Sequence, residues 1–337
     1  MKFREPQARS QPVNDPTRLA RDAGLRYIEY YILEITRRRR GKGFEYRGTD
    51  SKLVRDKETL RRIKSLAILP AWTGVWICPH PNCQLQATGR DARGRKQYRY
   101  HPQWREVRDQ EKFGRMLDFG RALPRIRRRV ACDLKRKKLN RKKALATVVR
   151  LLETTLIRVG NEEYAREKKS FGLTTMHDRH VRIRGEEVHF RFRGKRGKRH
   201  EVTLNDPRLA RCVKRCQSLP GQELFQYLDE EGERHTIDSS DVNDYLREIT
   251  GSDFTAKDFR TWAGTVLAAR AFEEFDAFET SREARRNIIT AIEAVAKMLG
   301  NTSANCRRCY VHPIILETYL DGTLAFRWRG HRRIHFS

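Results

Sequence analysis

Long apolar runs are absent from this sequence. No stretch approaches the roughly 18 consecutive apolar residues that a membrane-spanning helix requires. The opening Met1-Lys2-Phe3-Arg4-Glu5-Pro6 holds no apolar signal core. The expected location is the cytoplasm. Negative charge is scarce: 43 Asp and Glu stand against 72 Lys and Arg, for a formal net charge of +29. Cysteine is sparse and odd in number, with seven residues, which argues against a disulfide framework. Cys78 and Cys83 have no second pair nearby, and Cys212, Cys216, Cys306 and Cys309 lie on segments of helical character. A zinc site is not expected.

Nucleotide motifs are missing as well. The chain has neither a G-x-x-x-x-G-K-[ST] loop nor a G-x-G-x-x-G fingerprint. It has no acidic cluster of the kind that holds two metal ions for phosphoryl transfer. The expectation is an activity with no cofactor and no metal.

What is present is cation, spread along 337 residues, a length that at a prior of about 150 residues per domain suggests two domains or one large one. With 38% hydrophobic residues a core can form, while 34% charged residues and a mean hydropathy of -0.80 leave a very polar surface. The basic residues recur throughout, interleaved with aromatics, rather than forming a tail. A field of that sign recruits polyanions, and the partner expected is nucleic acid.

Residues 1–20 carry three prolines and are expected to be disordered. Residues 27–35 are aromatic and β-branched and predict a strand, followed by a basic loop at Arg37–Gly43. Phe44–Tyr46, Lys52–Val54, Val75–Ile77 and Leu85–Thr88 read as strands, and Glu58–Leu66 as a short helix. Between Gly89 and Pro102, basic and aromatic residues alternate. On a strand, Lys96, Tyr98 and Tyr100 share one face, with the cations suited to phosphates and Gln97 able to read a base edge. An ordinary amphipathic edge strand would show the same alternation.

Helical texture begins after Pro102. Phe113, Met116, Leu117 and Ile126 fall near helical spacing, with Pro124 as an expected break. Leu145, Val148, Val149, Leu152, Leu156 and Val159 form an i, i+3, i+4, i+7 stripe that carries Arg158 at its end. A charge between two core positions must be paired, exposed at the helix edge, or functional. Period-two alternation marks strands at His180–Ile183, Val188–Arg193 and His200–Leu204, and places Lys195 at a hairpin tip. Helices follow at 206–218 and 239–249. The next helix carries Arg260 beside the stripe Phe259, Trp262 and Val266. Residues 281–299 form a helix capped by Ser281 and stopped at Gly300. Tyr310 lies on a short helix that ends before Pro313. The fold class predicted is α+β: a small β-rich N-terminal domain, residues 1–105; a larger, mainly α domain with a small sheet, 106–322; and a basic tail, 323–337.

Phosphoryl transfer without metal needs a nucleophile held in line, positive charge around the transition state, and a proton donor for the leaving oxygen. Tyr310 can supply the first. Arg158 and Arg260 can supply the second, because a guanidinium fork matches two phosphate oxygens. Lys195 can supply the third.

These pieces, in this order, resemble the type IB DNA topoisomerases, specifically the compact bacterial and poxvirus-like members. The resemblance runs from about Tyr27 to Gly322. It rests on Leu69-Pro70-Ala71-Trp72, Gln86–Asp91, Lys96–Pro102, Ile157-Arg158-Val159-Gly160-Asn161, Phe192-Arg193-Gly194-Lys195, Lys257-Asp258-Phe259-Arg260-Thr261 and Gly300–Tyr310. It implies a monomeric clamp of two domains on duplex DNA, with Tyr310 as nucleophile and Arg158, Lys195, Arg260 and Asn301 as the rest of the catalytic set. Arg95, Gln97, Tyr98, Tyr100, Tyr164 and Lys257 are implied as DNA contacts. Asn301 departs from the pattern, since many members have histidine there. Asparagine can donate to a phosphate oxygen but cannot carry charge. A tyrosine recombinase shares such a catalytic core, but the β-rich first domain and its motif favour the topoisomerase. A basic nucleoid protein that only binds DNA would need no ordered catalytic set.

Overall fold

The computed structural model describes residues 15–28, 34–41, 43–92 and 94–324. The chain divides into two compact units, Met1–Lys112 and Phe113–Ser337. In order, the elements are α1 (Pro16–Asp22), β1 (Ile35–Arg40), β2 (Gly43–Arg47), α2 (Lys57–Ser65), β3 (Thr73–Ile77), β4 (Leu85–Arg90), β5 (Lys96–Tyr100), α3 (Pro102–Leu134), α4 (Arg141–Thr155), α5 (Glu162–Lys168), β6 (Val181–Arg184), β7 (Glu187–Arg193), β8 (Arg199–Asn205), α6 (Pro207–Gln217), β9 (Gln226–Leu228), β10 (Arg234–Thr236), α7 (Ser239–Thr250), α8 (Ala256–Phe272), α9 (Ser281–Leu299), α10 (Ser303–Tyr310) and α11 (Pro313–Leu320). A β-rich first unit precedes a mainly helical second one.

The first unit is built on a five-stranded antiparallel sheet, β2-β1-β3-β4-β5. One cluster buries Ile35, Val75, Ile77 and Ala87 with Ile63 of α2 and Trp72. Trp76, Cys78, Cys83 and Leu85 form another. Residues 37–40 are strand, not the basic loop that their composition predicts. Arg37 donates to the carbonyls of Ile68 (3.3 Å), Leu69 (3.1 Å) and Trp72 (2.7 Å), so its charge is satisfied from a distant loop. Its guanidinium also lies 4.1 Å from the centre of the Phe44 ring. Of the strand expected at 27–35, residues 29–33 lie outside the described set and Ile35 opens β1. Lys52–Val54 contributes one isolated bridge, Leu53 with Arg47, rather than a strand.

Disorder is corrected over residues 16–20. Asp15 caps α1 through the Thr17 amide and Pro16 occupies its first turn, a combination that satisfies an otherwise orphaned donor. Residues 1–14, and 325–337 of the expected tail, lie outside the described residues.

In the second unit, Pro124 does not break α3. The helix runs through it for 33 residues. Pro124 is exposed, while Phe119, Leu123, Ile126 and Val130 are buried in the main core. Their burial outweighs a lost helical bond worth about 3 kcal/mol. Leu117 points outward at 63% exposure, so it is not part of that stripe. Gly120 lets α8 approach closely: a β-carbon there would lie 2.5 Å from Trp262. Helix α4 stops at Thr155, before the predicted end, because Leu156 takes a left-handed conformation, φ 57°. The cap of α9 is Thr280, whose side chain accepts from the Glu283 amide, not Ser281. Gly300 ends that helix at φ 62°, a conformation glycine adopts without penalty. The three-stranded sheet β6-β7-β8 presents Val188, Phe190 and Phe192 inward and Arg191 and Arg193 outward.

Asp133 ties α3 to α7. Its buried carboxylate accepts from Arg129 (2.7 Å), Arg136 (2.6 Å) and the Tyr245 hydroxyl (2.9 Å). Burial acts to raise its pKa, but these three donors outweigh burial and hold it below the usual carboxylate value. The stabilisation is complete above the unfolded pKa and is lost as pH falls through the lowered folded one. Asp133→Asn is expected to cost about 2 kcal/mol in urea unfolding at neutral pH, with a smaller cost in strong acid.

Candidate active site

Helix α8 organises the site. Its N-terminus is closed by Asp258, whose carboxylate accepts from the Thr255 amide (2.7 Å) and hydroxyl (2.9 Å). One turn on, Arg260 is 4% exposed. Its guanidinium reaches two helix ends. Nη1 donates to the Leu156 carbonyl at the left-handed turn after α4, and Nη2 donates to the Leu299 carbonyl at the end of α9, at 2.7 Å. Both are carbonyls that helix termination leaves without an amide partner, and both lie at the negative end of a helix dipole. Arg158 follows Leu156 by two residues, and Asn301 follows Leu299 by two. One buried side chain therefore fixes the origin of both segments.

Arg158 lies on an extended loop rather than on the helix expected for it. A short turn at Leu173–Thr175 braces that loop. The Leu173 amide donates to the Arg158 carbonyl (2.9 Å), and Thr174 donates to Val159 O from its amide (2.6 Å) and hydroxyl (3.0 Å). Arg158 Nη2 donates to Asn301 Oδ1. A guanidinium can only donate, so the Asn301 oxygen faces Arg158 and the amide nitrogen faces away. Asn301 Nδ2 and Arg260 Nε are both buried and have no protein acceptor among the described residues.

Lys195 sits at the start of a tight turn between β7 and β8. That turn is closed by the Gly194 amide to Lys198 O (2.8 Å) and the Gly197 amide to Gly194 O (3.0 Å). Arg158, Lys195 and Arg260 line one small cavity that has no acidic side chain among its lining residues. Crowding by protein atoms, and then the Arg158 charge, push the Lys195 ammonium below its usual pKa, although the residue is still open to solvent; the Tyr310 phenol acts in the opposite sense. Burial, followed by Arg158, lowers Arg260 to about 10, again opposed by Tyr310. These cations repel one another, and an anion among them would relieve that repulsion.

Tyr310 is the last residue of α10, which Thr302 caps through the Asn305 amide. The Arg260 guanidinium lies 5.1 Å from the centre of its ring. The Thr265 hydroxyl donates to Tyr310 O (3.2 Å) and accepts from the His312 amide (3.0 Å). Gly264 and Thr265 thus seat the tyrosine on the helix that carries Arg260. Neither was singled out from the sequence; a glycine inside an otherwise well-packed helix was the available sign of close approach. Cys306, buried one turn before Tyr310, packs in a helical core. Arg307 and Arg308 are exposed.

The structure brings together Arg158, Lys195, Arg260, Asn301 and Tyr310. Lys257 is exposed on the first turn of α8, and Tyr164 is exposed on α5. The other residues expected to touch nucleic acid belong to the first unit. Tyr98 and Tyr100 stack on the outer face of β5, with ring centres 5.9 Å apart and planes at 7°. They are 38% and 37% exposed. Arg95 and Gln97 both engage Asp91, at 2.6 and 2.8 Å, so they shape the β4–β5 turn as well as bordering the aromatic face.

Comparison with known proteins gives a consistent answer. Residues 101–323 match the family described as eukaryotic DNA topoisomerase I, catalytic core. Residues 43–91 match bacterial DNA topoisomerase IB, N-terminal domain. The chain is 32% identical over 310 residues to DNA topoisomerase 1B of Acanthamoeba polyphaga mimivirus, covering 90% of this chain and 92% of that protein. It is 26% identical over 246 residues to DNA topoisomerase 1B of Vaccinia virus (strain Copenhagen), covering 71% and 73%.

A β-carbon at Gly264 would lie 2.5 Å from the Tyr310 carbonyl oxygen and 2.8 Å from its Cβ. Gly264→Ala is therefore expected to destabilise the protein by about 1–3 kcal/mol. A crystal structure of that variant should show α10 displaced from α8, with Arg260 still bound to its two carbonyls.

Proposed function

The chain belongs to the type IB DNA topoisomerases, a family of isomerases that act on DNA, and from that premise we propose the residues and steps by which it relaxes supercoiled duplex DNA. The observation that carries the proposal is the pair of buried donors, Arg260 Nε and Asn301 Nδ2, without protein acceptors among the described residues, the first in a cavity lined by Arg158, Lys195 and Arg260 with no carboxylate and the second on the residue that Arg158 engages. Buried donors left without protein acceptors beside clustered cations suit the nonbridging oxygens of a phosphodiester.

Tyr310 Oη attacks the phosphorus of one strand, forming a 3′-phosphotyrosyl bond as the bond to the 5′ oxygen breaks. Arg158 and Arg260 hold the nonbridging oxygens and balance the charge of the pentavalent transition state. Asn301 adds a neutral hydrogen bond. Its Oδ1 is engaged by Arg158, so the amide nitrogen is the group that meets the phosphate. Lys195 gives a proton to the departing 5′ oxygen and takes one back on religation. In net terms one proton passes from the phenol to the 5′ hydroxyl, and one phosphodiester replaces another. The bond energy is kept, so no ATP is required. While the strand is open its free end swivels, and the hydroxyl then reseals the backbone.

The division proposed for this work is a DNA-contact domain at 1–105, a catalytic domain at 106–322 and a basic tail at 323–337. A monomer would hold the duplex as a clamp, in the cytoplasm or at the nucleoid. Tyr98 and Tyr100, with Arg95 and Gln97 beside them, would meet the duplex from the first domain, and Tyr164 and Lys257 from the second. The exposure of Arg95, Tyr98, Tyr100, Tyr164 and Lys257 supports this role.

Tyr310→Phe removes only a hydroxyl, so it should abolish plasmid relaxation and covalent trapping of DNA while binding persists. Relaxation by this variant, or a requirement for paired recombination sites in the wild type, would overturn the assignment. Arg158→Ala and Arg260→Ala should each slow single-turnover cleavage by about 100-fold or more.

The pH profile follows from the lowered pKa of Lys195. The protonated lysine is the acid, so cleavage should be constant at lower pH and decline as pH rises through a value below that of an ordinary lysine. Lys195→Ala should lose that limb and recover rate on DNA carrying a 5′-bridging sulfur, which leaves without a proton. Binding measured against salt should weaken steeply.

A further inference from the structure

His200 belongs to no step of the reaction above, yet its ring stands between two segments that do. It lies on β8 directly across from Phe192 on β7. The two rings stack with centres 5.2 Å apart and planes at 12°. Two glycine backbones also pack closely against the imidazole. A β-carbon at Gly194 would fall 2.6 Å from its Cδ2 and 2.7 Å from Nε2. One at Gly300 would strike Cε1 and fall 3.1 Å from Nδ1. Gly194 immediately precedes Lys195, and Gly300 immediately precedes Asn301. No side chain fits between the ring and either backbone.

We propose that His200 is a positioning residue: a flat wedge that sets the spacing between the lysine turn and the asparagine turn, so that both reach the same phosphate. The inference rests on the roles given above to Lys195 and Asn301. The need for two glycines follows from it. At Gly300 the left-handed backbone already favours glycine, but Gly194 has an ordinary extended conformation, φ -95°. There the close ring is what excludes a side chain. Desolvation, then the charges of Arg158, Lys198 and Arg260, lower the pKa of the imidazole. A neutral ring adds no further charge to a cavity already crowded with cations.

A wedge acts through shape, whereas a proton carrier or hydrogen-bond donor acts through its nitrogens. His200→Phe keeps a flat ring and removes the nitrogens, and His200→Ala removes the ring. Each variant is compared with wild type in single-turnover cleavage, DNA binding and thermal unfolding, on ordinary DNA and on DNA with a 5′-bridging sulfur.

The expected result is that His200→Ala slows cleavage of ordinary DNA by about 100-fold, the scale of a 1 Å misplacement, with binding nearly unchanged. His200→Phe should recover most of that rate. On the sulfur-bridged DNA the His200→Ala deficit should shrink, because the part due to a misplaced Lys195 no longer counts, and what remains reports Asn301 and its neighbours. The proposal is overturned if His200→Ala cleaves like wild type, or if His200→Phe is as slow as His200→Ala. It is also overturned if the deficit is the same on both substrates and accompanied by lost binding, which is the mark of general disruption. Tyr310→Phe and Lys195→Ala are run alongside. A covalent adduct from the first, or no sulfur rescue of the second, would show that the site assignment itself has failed and would remove the basis of the inference. Normal behaviour of both controls assigns any failure to His200 alone.

Discussion

One buried guanidinium holds this site together. Arg260 satisfies carbonyls at the ends of two helices, at Leu156 and Leu299, and the side chains two residues after each, Arg158 and Asn301, are hydrogen-bonded to one another. A cation in that position replaces two missing helical hydrogen bonds and neutralises two dipole ends. It also explains how a leucine adopts a left-handed turn at Leu156, φ 57°, which carries a steric cost for any residue with a side chain. The hydrogen bond from Arg260 to the carbonyl at that turn helps hold the geometry, and the extended loop bearing Arg158 begins there. Removal of Arg260 would therefore loosen both segments, at Arg158 and at Asn301, and under the proposed mechanism would also take away a phosphate contact.

The same arrangement makes the free site electrostatically uncomfortable. Arg158, Lys195 and Arg260 share a small cavity with no carboxylate among its lining residues. Burial and mutual repulsion lower the pKa of Lys195 and Arg260. Such tension is useful where a dianionic transition state must be favoured over the substrate, since charge that develops on the phosphoryl oxygens meets fixed donors with no reorganisation left to do. The neutral Asn301 fits the same logic: its oxygen takes up one Arg158 hydrogen bond, and its nitrogen offers a donor without a further charge.

Much of the scaffold was legible locally. The alternation in β5, β7 and β8, the glycine stop at Gly300 and the stripe of α4 all follow from periodicity and capping chemistry. The errors are equally physical. Residues 37–40 read as a basic loop because four consecutive arginines suggest solvent, but Arg37 finds its acceptors at Ile68, Leu69 and Trp72. Pro124 read as a break because proline removes a helical donor, but α3 continues through it, with apolar residues buried on the opposite face. Arg158 read as helical because Leu156 and Val159 continue the spacing of α4, whereas tertiary hydrogen bonds end that helix at Thr155.

By itself the sequence determined which chemical groups were available and in what order: a tyrosine after a capped helix start, arginines beside apolar stripes, a lysine in a glycine-flanked turn, and a cationic, aromatic strand. Those features depend on residue type and short spacing, and they were sufficient to carry a family resemblance. Tertiary structure alone decided that Arg260 would join backbone carbonyls 104 and 39 residues away, that Gly264 would make room for Tyr310, and that His200 would lie against the glycines before Lys195 and Asn301. These are contacts between elements with separate local periodicities, so no window of sequence contains both partners. Close packing and the need to satisfy every buried polar group select them only when the whole chain is folded.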